Sequence, residues 1–248
     1  MRRKVPFRAV LRSEWSKLRS LRATWWCTAG YLLLVGGVGW LAAAGTDTAP
    51  DSQAAVSAAS TGFGVGQSVL VVLGALAVTS DLGSGMSVAS LTAVPRRTRL
   101  LVAKTVVVGA WCALLALVLV PVCALVARTS TAVPGGVAVL EPAVLRSLGL
   151  QVGAAALTGV LAVGLGAVLL SSARAIAAGL VLVVLPPALS LAGGTWPERL
   201  SQALPALHAD GDALLATTAT WQVGISVIAV WAVGAWVLGA IVLERRDA

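Results

Sequence analysis

Few residues in this 248-residue chain are of types that could do chemistry, and their spacing argues against most of it. The single histidine, His208, stands near Asp210 and Asp212, a set that would suggest a metal only if the three converged from fixed elements. On one polar segment they read as solvated side chains. Cys27, Cys112 and Cys123 all fall inside apolar runs, are odd in number and lack metal-ligand spacing, so they read as small buried apolar groups. Gly62, Gly64 and Gly66 open an apolar run, but no Lys-Ser/Thr pair follows and no strand precedes them. That pattern suits close helix packing better than a phosphate cradle. There is no serine–histidine–acid set, no carboxylate pair within an apolar run and no G-x-x-x-x-G-K-[ST] loop. The expectation is a chain with no catalytic residue, no metal and no cofactor site of its own.

The interiors of the apolar runs also lack ionisable groups. Polar groups there are few, among them Gln67, Ser68, Thr158 and Gln151. Proton and ion relays place Asp, Glu, His, Lys or Arg inside the bundle, so a proton-coupled carrier or ion pump is disfavoured. An apolar, glycine-lined interior fits a path for a large or amphiphilic cargo, with energy supplied by a partner. It fits a structural membrane protein equally well.

The elements that would line such a path follow from composition. The chain is 58% hydrophobic and 11% charged, with mean hydropathy +0.92; soluble domains carry roughly a quarter charged residues. A helix crosses the hydrocarbon layer with about 20 apolar residues. The runs are continuously apolar rather than alternating, and in lipid the backbone must pair within its own segment, so they are helices, not barrel strands. Six spans are expected, at about 24–44, 61–80, 103–126, 148–171, 175–191 and 221–243. The first run, about 20 residues, is too long for a signal-peptide core and reads as a retained span. Residues 1–23 form a basic arm in which Phe7, Val10, Leu11, Trp15, Leu18 and Leu21 recur at helical spacing, the pattern of an amphipathic helix in the membrane interface. Glu14 and Lys17, three residues apart, can pair on one face. Pro121 predicts a kink in the third span, and Pro186-Pro187 should break or bend the fifth. Together with Gln67 they are the candidate pathway or kink positions. Residues 81–104 read as a substantial polar and basic loop, and 192–220 as an outer segment with short amphipathic helices at the surface.

Charge sets the expected orientation. With the loops alternating, one side collects Arg2, Arg3, Lys4, Arg8, Arg12, Lys17, Arg19, Arg22, Arg96, Arg97, Arg99, Lys104, Arg174, Arg245 and Arg246, and the other only Arg128, Arg146 and Arg199. Positive residues stay cytoplasmic, which predicts both termini inside. The net charge of +8 is explained by these flanks, so nucleic acid is not an expected partner.

Two stretches carry a resemblance. Glu14-Trp15-Ser16-Lys17-Leu18-Arg19-Ser20, before the first span, resembles the N-terminal signature of permease subunits of type-2 ATP-binding-cassette (ABC) transporters, in the form actinobacterial members show. The segment from Asp81 to Lys104 is similar to that family's Glu-Tyr-Arg-Thr-Gly-Thr-Ile loop, with its later Leu-x-x-x-Pro-Arg-Arg and a Lys at the next span. Here Asp81, Ser84 and Gly85 match the first part, and Leu91, Pro95-Arg96-Arg97 and Lys104 the second. Leu82, Gly83 and Met86 depart from it, so the family's aromatic and arginine are missing. With the six-span topology, the resemblance covers essentially the whole chain.

What the resemblance implies is an all-α, six-span permease in the bacterial cytoplasmic membrane, paired with a second permease chain as homo- or heterodimer. Two cytoplasmic ATPase subunits would hold the ATP-Mg, and the interfacial helix, with Glu14, Trp15, Lys17 and Arg19, would lie along the inner leaflet with membrane lipid as its partner. The loop would act as a coupling helix, with Asp81, Ser84, Gly85, Leu91, Pro95, Arg96, Arg97 and Arg99 at the ATPase interface. Its arginines could equally hold topology by meeting lipid phosphates. The competing reading is a non-transporting membrane scaffold or immunity protein. An intramembrane enzyme or an ion-coupled carrier finds no supporting residues.

Overall fold

A computed structural model describes residues 6–46, 49–83, 97–130, 133, 136–192, 195–205 and 221–245. Among them every regular element is a helix: α1 (Phe7–Ser20), α2 (Arg22–Ala44), α3 (Ser52–Gly83), α4 (Arg97–Ser130), α5 (Pro142–Leu169), α6 (Ser172–Ala192), α7 (Thr195–Ala203) and α8 (Trp221–Arg245). Six of these, α2 to α6 and α8, are long and apolar enough to cross a membrane. The chain is thus an all-α protein with six membrane-spanning helices.

Several helices extend beyond the apolar runs that announce them. The second spanning helix opens at Ser52, not Thr61, because Asp51 caps it: its Oδ1 accepts the Ala54 N–H at 2.8 Å, and Val56 and Ala59 pack into the core. The expected loop 81–104 is shorter at both ends. Asp81–Gly83 continue α3, and Arg97–Lys104 form the first turns of α4. A basic first turn opposes the helix dipole, but Leu101, Ala103 and Lys104 are buried there, and tertiary packing prevails. Of the break or bend expected at Pro186-Pro187, a break does not occur. α6 stays helical through both prolines to Ala192, with Pro186 fully buried. α4 is likewise continuous through Pro121, whose side chain is exposed.

α3 and α5 form the enclosed axis of the bundle, while α2, α6 and α8 turn most of their surface outward. Leu33, Leu125 and Val230 are among the large apolar side chains on that outer surface, as lipid contact requires. Lipid tails are as apolar as leucine, so helices in a bilayer associate through close packing and hydrogen bonds. Two contacts show this. A Cβ at Gly62 of α3 would overlap the Val35 carbonyl of α2. A Cβ at Gly164 of α5 would stand 2.7 Å from the Ala235 carbonyl carbon of α8. Gly66 also faces α2, whereas Gly64 points to open space.

The helices alternate in direction. Gly166, near the end of α5, faces Val78 near the end of α3, and Gly239 near the end of α8 faces Ala167. The Trp236 indole N–H donates to Thr105 Oγ1 at 3.0 Å, joining the end of α8 to the start of α4. One end of the bundle therefore gathers α1, the end of α3, the start of α4, the α5–α6 turn and the end of α8. At the opposite end the Ala138 N–H donates to Ser52 Oγ at 2.9 Å. α7 is tied to α8 at its last residue, where the Trp231 indole donates to the Ala203 carbonyl at 2.8 Å.

Candidate functional site

The polar chemistry of the described residues concentrates where α1 meets the bundle. α1 begins after Pro6, whose extended backbone suits an N-cap position, and ends at Leu21, the single non-helical residue before α2. Val10, Glu14 and Leu18, four residues apart, form its buried face. α1 packs chiefly on α4 and only slightly on α2, the helix to which it is joined.

Glu14 is a carboxylate on that apolar stripe, 3% exposed, and both of its oxygens are used. Oε1 accepts Lys17 Nζ at 2.7 Å, and Oε2 accepts Lys104 Nζ at 2.9 Å. Lys104, 8% exposed, also donates to the Ala77 carbonyl of α3 at 2.7 Å. One lysine thus joins α1, α3 and α4 at a point. A buried charge is tolerated only when paired and hydrogen-bonded, and removing one partner of such a pair costs more than the pair's net worth. Leu18, Leu21, Val107 and Val108 wall the small cleft around these charges.

A tryptophan cluster adjoins it. Trp15 and Trp25 both meet Trp111 of α4 edge to face, at centroid distances of 5.4 and 6.0 Å, geometries that add to simple burial. The Trp111 indole donates to Thr28 Oγ1 of α2 at 3.2 Å, and the Trp25 indole to the Arg19 carbonyl at 3.0 Å.

These contacts place the residues singled out in the sequence. Glu14 and Lys17 do pair, and Trp15 is half-buried on Trp111, while the Arg19 side chain is exposed. Asp81 sits in the last turn of α3, Arg97 opens α4, and Arg99 is exposed one turn above the Lys104 cluster. Ser84, Gly85, Leu91, Pro95 and Arg96 lie outside the described residues, as do His208, Asp210 and Asp212. Gln67 is buried in the bundle, Pro121 faces outward, Pro186 is buried and Pro187 half-buried, so these four share no common site. Among the described residues no group of three His, Cys, Asp or Glu side chains could hold a metal ion. The Glu14–Lys104 pair is the contact that sequence reasoning missed. Its one local signal is an acid on the buried stripe of a basic helix, which demands a cation from elsewhere.

No curated protein matches the chain significantly. Residues 10–186 match the family described as "ABC-2 family transporter protein", a stretch that runs from α1 through the first six helices. That family is a membrane transport component, not itself catalytic, and membership implies association with an ABC ATPase subunit. The match covers well over half of the sequence, and the six spanning helices agree with it: the chain belongs to the ABC-2 transporter family and is a multi-pass permease subunit of an ABC transporter.

Proposed function

We propose that the chain is the permease of an exporter that moves an amphiphilic or hydrophobic substrate across the bacterial cytoplasmic membrane, driven by ATP-Mg bound in a separate ATPase subunit. The observation that carries this reading is the composition of one end of the bundle. α1, the arms of the 84–96 segment, the α5–α6 turn and the end of α8 meet there, with Arg8, Arg12, Arg19, Arg22, Arg99, Arg174 and Arg245. Such a basic end faces the cytoplasm and its anionic leaflet. The segment between α3 and α4 then faces the ATPase. Closure of that partner pushes on this segment and tilts the two helices it joins, with Asp81, Arg96, Arg97 and Arg99 as contacts. A second permease chain, identical or not, completes the pathway. Gln67 is one of the buried polar groups on the enclosed helix α3, with Ser52, Ser60 and Thr79, while α1 rests in the lipid interface.

The test is co-purification of the ATPase through the tagged permease, for wild type and for Arg96→Glu/Arg97→Glu/Arg99→Glu, with membrane insertion checked in both. Capture by wild type and loss in the triple variant is expected. Equal capture reduces the arginines to lipid and topology contacts. No capture by wild type, with the cognate ATPase present, favours the non-transporting scaffold instead.

A further inference from the structure

The geometry points to Glu14 as a positioning residue that latches α1 to α4, so that α1 travels with the arm of the partner-facing segment rather than with α2. The inference rests on the reading of 84–96 as that segment. Three independent features support it. Leu21 alone separates α1 from α2, with φ −74° and ψ 121°, so the covalent link is a one-residue hinge. α1 packs on α4 far more than on α2. And a buried ion pair spans α1 and α4, Glu14 Oε2 to Lys104 Nζ at 2.9 Å, and pulling apart buried, oppositely charged partners is costly.

Lys104 has a second bond of different character. Its donation to the Ala77 carbonyl is a single hydrogen bond to an oxygen inside α3. A change in the angle between α3 and α4 loads the contacts of Lys104, and the ion pair to Glu14 is the one that carries that movement to α1. Lys17, paired with the other oxygen of Glu14 at 2.7 Å, belongs to α1 itself and pre-positions the carboxylate toward Lys104.

The first arm of the test needs no partner. Amide hydrogen exchange is measured on the permease in nanodiscs of phosphatidylethanolamine and phosphatidylglycerol, for wild type, Glu14→Gln, Lys104→Gln and the swap Glu14→Lys/Lys104→Glu. Exchange across 7–20 is expected to rise roughly 100-fold in each single variant and to fall back in the swap, with α5 unaffected. Unchanged exchange in Glu14→Gln, or no recovery in the swap while Lys104→Gln behaves as wild type, overturns the latch. The second arm uses the complex with its ATPase, with the native cysteines replaced. Spin-label distances are taken from Ser13→Cys to Val106→Cys on α4 and to Leu41→Cys on α2, without nucleotide and trapped with ATP and vanadate. The α1–α4 distance should stay fixed while the α1–α2 distance changes, and Glu14→Gln should release the first. A wild-type α1–α4 distance that shifts with nucleotide, or an α1–α2 distance that does not, contradicts the proposal. Failure of any ATPase to co-purify overturns the exporter reading, and the exchange arm still decides the latch.

Discussion

The middle of the bundle and its basic end are held together by opposite means. In the middle, α2, α3, α5 and α8 approach so closely that a methyl group at Gly62 or Gly164 has no room. The forces there are short-ranged, neutral and spread over many atoms. At the basic end one carboxylate and two lysines join α1, α3 and α4, and Trp15 and Trp25 meet Trp111 edge to face beside them. Those forces are few, directional and strong. The difference follows from the solvent. Within the hydrocarbon layer an unpaired charge is prohibitive and apolar burial gains little, so close packing and neutral hydrogen bonds are left. At the interface, water and headgroups tolerate charge, and an ion pair screened by α1 can act as a single strong joint.

The contrast can be broken most sharply at Glu14. Glu14→Ala removes the buried carboxylate that Lys17 and Lys104 share and should cost about 3 kcal/mol, whereas Ser52→Ala at the opposite end removes one neutral hydrogen bond and should cost about 1 kcal/mol. Thermal unfolding of the two variants in detergent compares them directly, and the basic-end variant should melt lower. The middle offers its own pair. Gly164→Leu forces side-chain atoms against the α8 backbone and should cost about 2 kcal/mol, while Gly64→Leu, at a position with open space around it, should change apparent stability little. Folded yield by size-exclusion chromatography would separate them. Smallest is a gain. Leu170, in the turn between α5 and α6, adopts φ 50°, a left-handed conformation that favours glycine. Leu170→Gly should stabilise the chain by up to about 1 kcal/mol in the same melt, because the strain of a side chain there disappears.

The spanning helices were legible because a continuous apolar run has one solution in lipid. Their ends were not. Ser52–Ser60, rich in serine and alanine, resembles a loop until Asp51 caps it and α2 packs on it. The Pro186-Pro187 pair forbids two backbone donors but does not by itself decide whether a helix ends, and here α6 continues. The amphipathic α1 and its Glu14–Lys17 pair could be read from spacing of three and four. Lys104 could not be assigned to Glu14, because the pairing depends on α1 folding back across the start of α4. Glycines were identifiable as packing positions, but only the fold shows that Gly62 and Gly66 meet α2 while Gly64 does not.

The central claim is that the basic end is where an ATPase subunit engages. The most direct test uses single cysteines on a cysteine-free background, one at Arg99 in the first turn of α4 and one at Glu141 before α5 at the opposite end, each treated with a short thiol–amine cross-linker in vesicles containing the ATPase. Cross-linking to the ATPase from position 99 and none from 141 is the predicted result. Cross-linking from 141 but not 99 would contradict it, and with it the assignment of the segment between α3 and α4 as the face through which ATP hydrolysis acts.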